Sequence, residues 1–307
     1  MRLAIIGHQA FGEAALTAFV ERGHGVAGVF VAPETPGAKP DPLKLAASGR
    51  GLPVFAFQNY AKPEALDALR QLEVDLAVMA YVTQFIPQAF CALPKHGTIQ
   101  FHPSLLPQHR GPSSINWAII RGRSKTGLSI FRPSDGLDEG AVLLQKDVEI
   151  LPDDTIGSVY FDKIFPLGVA ALIEAAEDVV AGRARETVQD ESNASYEGWV
   201  REAEARIDWA RHVDQIYDLI RGCNPAPGAW TLWNTRKLQI FDARKISART
   251  FGMVRGLKPG QVAAATPHGL TVLAQGGFIE VQRCRIGDGK KIPALEAGLS
   301  PGTILGA

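Results

Sequence analysis

Four runs constrain this chain more than anything else in it: RLAII at 2–6, VAGVFV at 26–31, DLAVMAY at 75–81 and GTIQF at 97–101 are almost continuously apolar. A strand with one wet face alternates apolar and polar residues, whereas a strand covered on both faces reads like these four. Between them lie stretches of helical spacing around 13–22 and 64–72, the second setting Leu66, Leu69 and Leu72 on one face. Such strands alternating with helices predict a mainly parallel α/β sheet with helices on both sides. PVFAF at 53–57 adds a further short strand after the polar, proline-containing stretch 32–42.

Downstream, PDDT at 152–155 offers Asp153, Asp154 and Thr155 as caps for a long helix ending about Ala181. The stretch AGRARETVQDESNASYEG at 181–198 is polar and predicts a linker. A helix over 212–221 follows. From Lys237 onward, β-like runs (KLQIFDA, GQVAAAT, GLTVLA, FIEVQRC) alternate with glycine and proline, the pattern of a small barrel or sandwich. Two domains are expected, 1–200 and 205–307, with their boundary near 200–205.

Charge and cysteine content narrow the partners. Lysine plus arginine equals aspartate plus glutamate at 32 each, and no basic stripe is evident, so nucleic acid is not expected as a partner. Cys91, Cys223 and Cys284 have no metal-type spacing; an odd, sparse set predicts reduced, buried thiols in a cytoplasmic protein. The apolar start MRLAII is too short for a signal peptide, and no run is expected to be long and apolar enough to cross a membrane.

Chemistry-bearing residues concentrate in two loops, each following a strand-like run: HPSLLPQHRG at 102–111 after GTIQF, and GLDEG at 136–140 after GLSIF. In an α/β sheet, reactive side chains stand beyond the carboxyl ends of strands. His102 is thus the candidate general acid or base and Asp138 its candidate partner. His109 reads as a residue facing solvent or steadying the loop. Arg110 can pair with a carboxylate of a ligand or of the protein. Asp135, Asp138 and Glu139 lie close together, but the further oxygen donors of a cation loop are missing, so no metal is expected. GHQAFG at 7–12 has neither dinucleotide nor phosphate-loop spacing and reads as a tight strand-to-helix turn.

HPSLLPQHRG together with GLDEG resembles the 10-formyltetrahydrofolate-dependent formyltransferase family, whose HxSLLPxxRG and GLDxG patterns are met in full. TQFIP at 83–87, LLQKDVEILPDDT at 143–155, IRGCNPAPGAW at 220–230, EARIDW at 204–209 and GDGKKIPA at 287–294 extend the resemblance along the chain. It is strongest to the amino-terminal hydrolase domain of 10-formyltetrahydrofolate dehydrogenase, and the chain is also similar to methionyl-tRNA formyltransferase. The resemblance implies a Rossmann-like formyltransferase domain followed by a smaller β-barrel, OB-like, domain. It makes His102 and Asp138 the catalytic pair and sets Gln84, Phe85 and Ile86 around the pterin, with Asp138 also at the folate.

Two residues before the histidine, the resembling transferases carry asparagine and the hydrolase domain isoleucine; this chain has Gln100, a candidate auxiliary donor. The implied reaction removes the formyl group from 10-formyltetrahydrofolate, the folate co-substrate, and passes it to water or a small acceptor. Transfer to a specific amine, of an amino sugar or of methionyl-tRNA, is the alternative, and a non-catalytic folate-binding module the second. The stretch 32–50 has three basic and two acidic residues and lacks the basic insertion of tRNA-specific members. Beyond the position of Ala307 the dehydrogenases continue into carrier and aldehyde-dehydrogenase domains. The segment present is therefore expected to use no NAD, and the resemblance leaves room for a carrier protein acting in trans.

Overall fold

The protein is described by a computed structural model over residues 1–249 and 256–306. Its first elements alternate strand and helix as the apolar runs predict. They are β1 (Arg2–Gly7), α1 (Gln9–Glu21), β2 (Gly25–Val31), α2 (Pro42–Gly49), β3 (Val54–Ala56), α3 (Pro63–Gln71), β4 (Leu76–Ala80), α4 (Gln88–Cys91) and β5 (Thr98–His102). After α5 (Ser114–Ile120) come β6 (Lys125–Phe131) and β7 (Val142–Glu149). The seven strands form one sheet in the order β3-β2-β1-β4-β5-β6-β7. β1 to β5 pair in parallel and β6 joins antiparallel to β5, so the sheet is mixed and Rossmann-like.

The order turns back between β1 and β4, which makes their carboxyl ends the place where such sheets leave a crevice for ligands. Gly7 closes β1 there: a Cβ on it would run into the Ala80 carbonyl oxygen of the neighbouring strand. Side chains alternate across each strand. On β5, Phe101 stacks on Phe11 of α1 with centroids 4.3 Å apart, so Gln100 and His102 share the opposite face. That second face carries Ile6, Phe30, Tyr60, Met79, Ile86 and Phe90 in one buried cluster.

The helix expected after PDDT runs as α6 (Ile156–Ser158), a π-helical turn (Val159–Ile164) and α7 (Phe165–Val180). Thr155 is its cap, in a reciprocal capping box with Ser158. Ile156–Val180 is by length and composition apolar enough to cross a membrane, which corrects the expectation that no such run exists. The reason is local: α7 lies against α1, β4 and β5 and buries Gly168, Ala171, Leu172, Ala175, Ala176 and Val179 there.

The polar stretch 181–198 is not a linker. Val142 and Thr187 exchange both backbone hydrogen bonds, and Gln189 and Glu197 are buried. Arg110 and Tyr196 form a parallel bridge. A segment that satisfies its polar groups against loops shows no apolar periodicity, which is why it reads as a linker.

Two compact units are discontinuous in the chain. The first holds 1–112, 127–148 and 161–197; the second holds 113–126, 149–160 and 198–307. In the second, α8 (Val213–Gly222) accompanies β8 (Ala229–Trp233), β9 (Arg236–Ser247), β10 (Val262–Ala265), β11 (Leu270–Ala274), β12 (Gly277–Ile286) and β13 (Ile292–Pro293). These strands form an antiparallel sheet, β10-β11-β12-β9-β8, with β13 beside β12. Trp209, Ile216, Ile220, Ile240, Val272 and Ile279 belong to its core. Asn116 of α5 donates to the Gly222 carbonyl of α8 at 2.8 Å, tying 113–126 into this unit rather than the first.

Candidate active site

His102 ends β5 and is buried. Its Nε2 lies 2.9 Å from the His109 carbonyl oxygen. A carbonyl only accepts, so Nε2 carries a hydrogen. Nδ1 is thereby turned to Asp138, whose Oδ2 stands 3.6 Å away. That separation exceeds a closed hydrogen bond. The two groups face each other as a pair, each with capacity for a third partner. Asp138 Oδ2 accepts the Gly111 N–H at 2.9 Å.

Two residues of this arrangement sit in the left-handed region, His109 and Asp138, each at φ 56°. Non-glycine residues adopt it at a cost of about 1–2 kcal/mol and only when their surroundings hold them there. His109 is held on all sides: its N–H donates to Ser195 Oγ at 2.8 Å and its Nδ1 meets Glu197 Oε2 at 3.1 Å. Gly111, at φ 102°, lies where a Cβ would meet the Glu197 carbonyl oxygen, so the loop approaches the 187–197 strap too closely for any side chain.

The proline-rich loop is fixed from below as well. Ser129 of β6 accepts the Leu106 N–H at 3.0 Å and donates to the Ser104 carbonyl at 2.7 Å. Gln145 of β7 donates to the Leu106 carbonyl at 2.8 Å. Arg110 chooses between the two partners its sequence left open: it pairs with the protein. Fully buried, its guanidinium donates to Glu191 at 2.9 and 2.6 Å, to Gln189 Oε1 at 3.2 and 2.8 Å, and to the Tyr196 hydroxyl. The Glu191 carboxylate beside it holds the guanidinium pKa above its ordinary value and is itself held below the usual carboxylate range. Tyr196 passes the connection on, donating to Glu139 at 2.8 Å, next to Asp138.

The remaining candidates are spread out. Gln100 lies on the His102 face of β5, and its amide has no hydrogen-bond partner among the described residues. Gln84, Phe85 and Ile86 do not share one environment. Gln84 donates to the Phe57 carbonyl at 3.1 Å and lines a shallow cleft with His8, Tyr60 and Tyr81. Phe85 is 66% exposed, while Ile86 belongs to the buried cluster beneath. Their loop is joined to the Asp138 loop by the Gln88 N–H, which donates to Asp135 at 3.0 Å. Sequence reasoning missed His8. It follows β1 in the cleft against Tyr81, with centroids 4.8 Å apart. Its Nε2 is buried without a partner among the described residues, and burial lowers its pKa. Sequence reasoning also missed the strap residues; the signal available was Arg110, a cation in a loop whose own residues supply it no carboxylate.

A mixed, Rossmann-like sheet with a histidine–carboxylate pair beyond a strand end, and a separate antiparallel sheet after it, defines a two-part α/β protein. Sequence comparison gives that class its family. The formyl transferase pattern matches residues 1–175 and the formyl transferase C-terminal domain residues 200–298, and the chain belongs to this family. It is 37% identical over 305 residues to mitochondrial 10-formyltetrahydrofolate dehydrogenase of Mus musculus, covering 96% of this chain and 33% of that protein. It is 32% identical to methionyl-tRNA formyltransferase of Syntrophus aciditrophicus, covering 99% of this chain and 98% of that one. The chain thus spans about a third of the dehydrogenases and nearly all of the transferase. Among solved structures, HypX from Aquifex aeolicus in complex with tetrahydrofolic acid has a TM-score of 0.68 at 19% identity, over 99% of this chain and 49% of that one. The sugar 3N-formyltransferase WlaRD, with dTDP and 5-N-formyl-THF, has a TM-score of 0.68 at 14% identity, over 94% and 99%. These two share the fold.

Proposed function

We propose that this chain removes the formyl group from 10-formyltetrahydrofolate and passes it to water or a small acceptor, leaving tetrahydrofolate. The observation that carries the reading is the His102–Asp138 pair, with one imidazole nitrogen fixed on the His109 carbonyl and the other aimed at a partly buried carboxylate. Relatives named for 10-formyltetrahydrofolate chemistry and neighbours holding folate derivatives support it.

In this reading the acceptor oxygen or nitrogen adds to the formyl carbon as Asp138 takes its proton. The carbonyl electron pair moves onto oxygen, where a hydrogen on His102 Nδ1 stabilises the oxyanion. When the oxyanion collapses, the bond to N10 breaks and N10 takes the proton that Asp138 removed from the acceptor. With water as acceptor the products are formate and tetrahydrofolate. The Gln100 amide, without a hydrogen-bond partner among the described residues and on the same strand face as His102, favours a second reading in which it assists the oxyanion and an amine is the acceptor.

The test is turnover of 10-formyltetrahydrofolate with no acceptor added, with formate and tetrahydrofolate measured together. Equal release of both supports hydrolysis. Folate binding without formate removes water as acceptor and directs the search to amines, beginning with amino sugars. No binding at all sinks the proposal.

A further inference from the structure

Gln189 occupies an unusual position. It is buried in the strap, in the interval between the two matched family regions, and both ends of its amide are committed. Oε1 accepts the Arg110 fork at 3.2 and 2.8 Å. Nε2 donates to the backbone carbonyls of Asp138 at 2.8 Å and Gly140 at 2.7 Å. Four hydrogen bonds thus run through one neutral side chain, joining the His102 loop to the Asp138 loop.

The contacts close a ring. His102 is tied to the His109 carbonyl, Arg110 follows His109, Arg110 holds Gln189, Gln189 holds the Asp138 backbone, and Asp138 faces His102. Asp138 is in the left-handed region, where its own preference would move it, and Gly111 donates the hydrogen bond that its carboxylate takes beside His102. Removing the two amide donors would leave the Asp138 and Gly140 carbonyls without these bonds and free the backbone that aims the carboxylate.

We propose that Gln189 is the positioning residue of the candidate site: its amide hydrogens, rather than its bonds to Arg110, hold Asp138 at its working distance from His102. This rests on the function proposed above. A loss of about 1 Å in placement of a reacting group costs on the order of a hundredfold in rate.

Gln189→Glu separates the two ends of the amide. It keeps an acceptor for Arg110 and removes both donors to the Asp138 loop. Its kcat should fall by about a hundredfold with KM for the folate little changed. In an Asp138→Asn background the same change should cost nothing further, because the group being positioned is already gone. A wild-type rate in Gln189→Glu, or an equal loss in both backgrounds, overturns the proposal and leaves Gln189 as a packing residue.

Wild-type turnover is the control that separates this inference from the functional reading. If wild type does not turn over, only that reading fails. The positioning claim is then read by hydrogen exchange in Gln189→Met, also used if Gln189→Glu does not fold. Faster exchange over 136–140, with β1 and β4 unchanged, supports it; unchanged exchange over 136–140 overturns it.

Discussion

His102 and Asp138 meet through a single short loop: the His109 carbonyl takes His102 Nε2, and two residues later the Gly111 N–H donates to Asp138 Oδ2. That loop therefore sets the orientation of the imidazole and of the carboxylate together. Glu197 and Ser195 hold it at His109.

Asp138→Asn keeps the shape of the site, since an amide oxygen can still accept the Gly111 N–H. It removes the group that takes the acceptor's proton. Steady-state turnover should fall by at least about a hundredfold while folate affinity, measured by calorimetry, stays close to wild type. A loss below about tenfold would move the base role to another group.

Gln100→Ile removes the amide from the His102 face without removing strand character. If the amide assists the oxyanion, turnover should drop by roughly tenfold to a hundredfold, near the lower range for one oxyanion donor. An unaltered rate makes the amide a bystander.

Arg110→Lys is not conservative here. A lysine has no planar fork and cannot serve Gln189, Glu191 and Tyr196 at once. The melting temperature should fall by several degrees and kcat should fall with it. An unchanged melting temperature would show that the strap is held by its backbone pairing alone.

His8 gives the chain a pH signature. Burial in the cleft keeps its folded pKa below the ordinary 6.5, against a smaller opposing pull from Asp41. The unfolded chain takes up this proton first as pH falls. Stability is therefore intact above about 6.5, declines below it, and stops declining once the folded pKa is passed. Replacing His8 with Gln should flatten melting temperature between about pH 7 and 5 relative to wild type; parallel curves would contradict this.

Most of the α/β unit is legible in the chain because a strand covered on both faces has no choice but to be apolar throughout. β1, β2, β4 and β5 fall on the four apolar runs. The loops carrying His102 and Asp138 are legible too, through proline and glycine bounding charged residues. Gln189, Glu191 and Tyr196 are not. Their role depends on reaching across some eighty residues of sequence to Arg110, and polar contacts at that distance leave no periodic trace. The compact units are hidden for the same reason: α5 belongs with α8 through contacts such as Asn116 to Gly222.

The central claim is that the His102–Asp138 pair performs chemistry on a bound formyl-folate. Single-turnover cleavage of 10-formyltetrahydrofolate by His102→Ala, with its binding measured in the same samples, tests it most directly. A folate bound with near wild-type affinity and a formyl group left in place are expected. Cleavage at the wild-type rate would contradict it and remove His102 from the mechanism.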